Sequence, residues 1–74
     1  MNKMKKFTFF WLTGKREVFE GSDTANALNN AGYSQGALRA LDFWANGDNN
    51  DYVWNKTKRN WDLTPEASKR LFNK

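Results

Sequence analysis

The chain has no cysteine and no histidine. Without cysteine there is no disulfide and no thiolate metal site, which fits a reducing cytoplasm. Without histidine the usual general base and the commonest metal ligand are both missing. There is one proline. No apolar run is long enough to span a membrane. Nucleophile–base pairs, phosphate-binding glycine loops and metal-ligand spacings are also lacking, so the chain reads as a non-enzyme with no cofactor and no metal. The loop Asn46-Gly47-Asp48-Asn49-Asn50-Asp51 is rich in oxygen side chains. It lacks the Asp-x-Asp-x-Asp-Gly series and closing Glu of a calcium loop, and reads as an ordinary polar connection.

Aromatic residues are plentiful: four Trp, six Phe and two Tyr in 74 residues. A chain of this length makes one domain, residues 1–74, with a small core. Large rings compensate, because each buries a large area. Residues 1–5 read as a flexible basic N-terminus. The following Phe7-Thr8-Phe9-Phe10-Trp11-Leu12 reads as a strand and not as a signal peptide, because the apolar run is short and Gly14-Lys15-Arg16-Glu17 stands where a cleavage site would be.

The net charge of +4 is unevenly spread. Residues 1–16 hold five Lys/Arg and no acid; residues 17–55 hold Arg39 against six acids; residues 56–74 hold six Lys/Arg against two acids. Positive charge therefore sits at the ends and in turns, where it can meet a phosphate backbone.

The clearest element is Tyr52 to Leu63. With Trp54 opposite Trp61 it folds as a β-hairpin with a four-residue tip, Lys56 to Arg59. Opposed residues share a face and alternate residues point opposite ways. Tyr52, Trp54, Trp61 and Leu63 form an apolar face; Val53, Asn55, Asn60 and Asp62 form the other.

Residues 6–21 predict a first hairpin turning at Gly14-Lys15, which pairs Trp11 with Val18 and Phe10 with Phe19. Both its faces are apolar, as in a strand covered on two sides. Residues 22–31 predict a helix capped by Ser22 or Asp23, ended by Gly32 and facing inward through Ala27, Leu28 and Ala31. Residues 34–46 predict a second helix, with an apolar stripe of Ala37, Leu38, Ala40, Leu41, Trp44 and Ala45. Thr64-Pro65-Glu66 starts a last helix that reaches about Asn73, its C-terminal end marked by Lys69, Arg70 and Lys74. The expected fold class is α+β: a small single domain of order β-β-α-α-β-β-α, with an antiparallel sheet from two hairpins packed against short helices.

The run from Ala27 to Leu41, with Ala31-Gly32 closing one helix and Ser34 opening another, resembles a helix-turn-helix. With the basic hairpin after it, residues 24–63 resemble a winged helix. That resemblance implies DNA readout by the exposed face of the second helix, which carries Arg39. The run departs from the pattern in three ways. Leu28 stands where a small residue is usual, a hairpin replaces the leading helix, and Arg39 is the only cation on the exposed face. The same run also reads as a plain αα-corner.

The expected function is sequence-tolerant nucleic-acid binding, with RNA or single strands ahead of duplex DNA. The candidate residues are Lys15, Arg16, Lys56, Lys58 and Arg59 at hairpin tips, with Arg39. The alternative is a protein-binding module or inhibitor using Trp, Phe and Arg contacts. Ten Asn, small size and the missing Cys and His suit a phage or mobile-element product.

Overall fold

A computed structural model of the chain describes residues 4–72. Most of the segment read as a flexible N-terminus, residues 1–3, lies outside them, and Lys5 already belongs to a strand. The fold is a small α+β arrangement of five strands in two antiparallel sheets and two α-helices. The strands are β1 (Lys5–Trp11), β2 (Arg16–Gly21), β3 (Leu41–Asn46), β4 (Tyr52–Asn55) and β5 (Asn60–Leu63). The helices are α1 (Thr24–Asn30) and α2 (Pro65–Phe72), and a 3₁₀ helix spans Gln35–Ala40. One sheet has the order β2-β1-β3; β4 and β5 form the other.

β1 is the central strand and is buried from Phe7 to Trp11. Phe7, Phe9 and Trp11 share one face with Ala27 and Leu28 of α1, and Phe19, Tyr33, Ala37 and Leu41 pack around them. On the other face Phe10 stacks on Phe43 at 4.5 Å and meets Tyr52 and Trp61 edge-on at 5.2 and 5.0 Å. Coverage of both faces explains why β1 shows no polar alternation beyond Thr8.

The first hairpin differs from expectation in register. Phe7 pairs with Phe19 and Phe10 with Arg16. Trp11 donates its N–H to the Lys15 carbonyl, and Gly14 donates to the Trp11 carbonyl, both at 2.9 Å. The loop is therefore Leu12-Thr13-Gly14, with Gly14 third at φ +91. This is the three-residue solution, a turn closed by a left-handed glycine, and it moves the pairing by an odd number of residues. An odd shift exchanges faces, so Phe19 joins Phe7 and Phe9 while Val18 joins Thr8.

α1 forms as expected, with Asp23 accepting from the Asn26 N–H at 2.8 Å. Its end is a Schellman motif: Tyr33 N–H reaches the Leu28 carbonyl at 2.9 Å and Gly32 N–H the Asn29 carbonyl at 3.0 Å. Ala27 and Leu28 are buried, but Ala31, expected inside, is exposed.

The second helix over 34–46 does not form. The 3₁₀ helix takes its first part and β3 the remainder, so the order is β-β-α-β-β-β-α, with the 3₁₀ helix between α1 and β3. Leu-Asp-Phe-Trp-Ala-Asn fits a strand as well as a helix stripe, and adjacent aromatics favour the strand. Pairing with β1 decides it, because β1 would otherwise leave a bare edge. A bulge interrupts the pairing between Phe10 and Trp11, where Leu41 rather than Asp42 faces Trp11. The helix-turn-helix likeness loses its second helix, and the winged-helix reading loses the element that would enter a groove.

The Trp hairpin folds in the expected register, Tyr52 to Leu63, Trp54 to Trp61 and Asn55 to Asn60. α2 is capped by Thr64, whose hydroxyl accepts from the Ala67 N–H at 3.2 Å. Ala67 is buried, whereas Leu71 is exposed. Asn73 lies outside the described residues. No helix among the described residues is long and apolar enough to cross a membrane.

Candidate nucleic-acid interface

The tip Lys56-Thr57-Lys58-Arg59 is held by the residue before it. The Asn55 side-chain oxygen accepts from the Thr57 and Lys58 N–H groups, both at 3.0 Å, as an Asx turn does. The Asn55 amide donates to Asp62 at 2.9 Å, which fixes the side chain that fixes the turn. Arg59 takes the left-handed conformation, φ +54, to close the loop. All three cations are exposed and, among the described residues, none forms an ion pair.

The other expected site residues divide. Lys15 is exposed and lies 3.7 Å from Glu17. Arg16 is committed elsewhere: its guanidinium pairs with Asp48, its Nε donates to the Asn49 carbonyl at 2.8 Å, and its side chain is only 28% exposed. Arg16 thus clamps the loop after β3 onto β2. Arg39 is exposed on the 3₁₀ helix and makes no ion pair among the described residues, with Asp42 or any other acid.

The turn Leu12-Thr13-Gly14 joins the segments that carry the five remaining cations. Leu12 N–H donates to the carbonyl of Ala40, the residue after Arg39, at 2.7 Å. Gly14 lies against the ring of Trp54, two residues before Lys56; a Cβ there would come within 2.7 Å of that ring. Lys15 follows Gly14 directly. The segments bearing Lys15, Arg39, Lys56, Lys58 and Arg59 therefore abut one turn, a convergence across three distant stretches that spacing alone does not reveal.

A second feature has no counterpart in the sequence reading. Between α1, the 3₁₀ helix and β3 lies an apolar groove of about 530 Å³, with Phe9, Leu28, Tyr33 and Leu41 among its lining residues. Leu38 and Trp44, 51% and 45% exposed, also line it. Both stand in the stripe expected to face the core of the second helix; with that helix replaced by the 3₁₀ helix and β3, they line the groove instead. Tyr33 donates its hydroxyl to Glu17 at 2.7 Å. That hydrogen bond to the carboxylate, with partial burial and the nearby negative charge, holds the phenol above its ordinary range.

Among the described residues no group of three acids gathers to hold a metal ion. In the polar loop Asp48 is taken by Arg16, and Asp51 pairs with Arg70 of α2 at 2.5 Å. The chain matches no protein-family model, no curated protein and no solved structure.

Proposed function

We propose that the protein binds single-stranded nucleic acid, RNA in preference to duplex DNA, through phosphate contacts from Lys15, Arg39, Lys56, Lys58 and Arg59. The observation that carries this reading is the meeting of their three segments at the turn Leu12–Gly14. Exposed cations on a fixed backbone attract a phosphate chain without reading its sequence. RNA comes before duplex DNA because the helix expected over 34–46, which the resemblance would place in the major groove, does not form, and a flexible strand can follow an exposed tip. Such a ligand is met in the cytoplasm.

The test is fluorescence anisotropy with a labelled single-stranded RNA of mixed sequence over a range of salt. Binding should weaken as salt rises. Replacing Lys56, Lys58 and Arg59 together with Gln should flatten the log–log salt slope by about 2, roughly 0.7 for each lost contact. No binding by the parent at low salt, or an unchanged slope in the triple variant, rejects the reading.

One observation favours a second reading, a protein-binding module or inhibitor. Exposed Trp44 and Leu38 flank the apolar groove, and a half-exposed Trp beside a pocket is the usual anchor of a protein interface. Binding of this kind would survive salt that abolishes RNA binding.

A further inference from the structure

We infer that β3 pairs edge to edge with β3 of a second copy of this chain, joining two three-stranded sheets into one of six strands. β3 is an outer strand of its sheet. Gly47 N–H bonds to the Lys6 carbonyl at 2.7 Å, which sets the phase of the β1–β3 ladder. By antiparallel alternation Ala45 and Phe43 bond inward to β1, and Trp44 and Asn46 turn their N–H and C=O groups outward. Those outward groups have no hydrogen-bond partner among the described residues. An open row of this kind is a template for another strand.

The two outer edges of the sheet are not alike. β2 carries Arg16, Glu17 and Glu20 in six residues, and α1 packs against it. β3 has a single charge, Asp42, and neither Lys nor Pro. The guard residues that keep edges apart are thus present on β2 and missing on β3.

The sequence of β3 selects a copy of itself. Outward residues must oppose outward residues, and a two-fold axis requires the pairing to read the same from both chains. An axis through Asp42 sets two carboxylates face to face, at the bulge. An axis through Trp44 opposes Asp42, the residue at the bulge, to Asn46 of the second copy, an acceptor to an amide donor. Phe43 then faces Ala45, and the two Trp44 rings meet on the side of the sheet that holds the apolar groove. The register has no like-charge pair, and it covers the exposed ring that the fold leaves half open.

Sedimentation of the full chain from low micromolar to millimolar concentration tests this, beside amide exchange by NMR. A concentration-dependent dimer is expected. The Trp44 and Asn46 amides should exchange more slowly as dimer forms, while those of Phe43 and Ala45 stay protected at every concentration. Asn46→Pro removes an outward donor and no bond to β1, so it should be monomeric with an unchanged circular dichroism spectrum. If that variant does not fold, the exchange pattern of the parent decides. A parent that stays monomeric at millimolar concentration overturns the inference. So does a dimer whose formation leaves the Trp44 and Asn46 amides unprotected, or one that persists undiminished in a folded Asn46→Pro.

Discussion

Gly14 and Trp54 touch so closely that the turn of one hairpin is seated on the ring of the other, with no room between them for a methyl group. The contact joins the two sheets beside Lys15 and the exposed tip from Lys56 to Arg59. Gly14→Ala would meet two penalties at once, a clash at 2.7 Å and a left-handed backbone at φ +91. We expect a loss of about 1–3 kcal/mol. Trp54→Ala in the same chain should relieve the clash, so the double variant should lose less than the two single losses combined. Thermal melts of the four proteins measure this, and strict additivity would remove the contact from the account.

Gly32 provides the complementary case. Its φ is +90, yet nothing lies within 4 Å of where a Cβ would stand. Only the backbone resists substitution there. Gly32→Ala should cost about 1 kcal/mol, Asn less and Val more. Urea titrations rank the three, and equal stability for Val and Asn would contradict the Schellman ending of α1.

Arg16 should behave as a structural cation. Arg16→Gln loses the pair with Asp48 and the bond to the Asn49 carbonyl, and should cost about 1 kcal/mol. Its RNA salt slope should match the parent's. The triple tip variant should show the reverse, with an unchanged melt and a flattened slope. A lower slope in Arg16→Gln with no change in melting would return Arg16 to the binding set.

These contrasts follow what was legible in the sequence. The Trp hairpin was legible because alternation, ring placement and a run of tip charges all pointed to one register. α1 was legible from Asp23 and Gly32, and α2 from Thr64-Pro65. The register of the first hairpin was not, because a glycine at the turn serves a two-residue or a three-residue loop, and spacing alone does not choose between them. β3 was not, because Leu38, Leu41 and Ala45 also lie on a helical stripe, and only the need of β1 for a second neighbour separates the two patterns. Arg16 looked like its neighbour Lys15; its commitment to Asp48 depends on a loop more than thirty residues away. The candidate cations were thus visible residue by residue, but the meeting of their segments at one turn was not.

Tyr33 links stability to alkaline pH. The phenol is held above its ordinary value of 10.0 by the bond to Glu17. The folded chain therefore keeps this proton when the unfolded chain has lost it. Stability from this group is complete below about pH 10 and is lost as pH rises through the folded value. Tyr33→Phe should abolish that alkaline decline, while lowering stability at neutral pH through the loss of its hydrogen bond to Glu17. Urea midpoints from pH 8 to 11 test the sign; an equal decline in the variant would assign it to another group.

Thr8 has a consequence for the order in which the chain assembles. Its hydroxyl, fully buried in β1, donates to the Gly47 carbonyl at 2.6 Å and accepts from the Asn49 N–H at 2.7 Å, across 39 and 41 residues of sequence. Both hairpins are local and close in microseconds. β3 and its loop must instead search across the whole intervening chain, and that closure entropy precedes any reward from contact. Docking of β3 onto β1 is therefore expected to be the slowest step, which stopped-flow refolding would resolve from hairpin closure. Thr8, whose two bonds form only when Gly47 and Asn49 arrive together, registers its completion; Thr8→Val should leave both hairpins intact and speed unfolding more than it slows folding, which stopped-flow unfolding and refolding rates would measure.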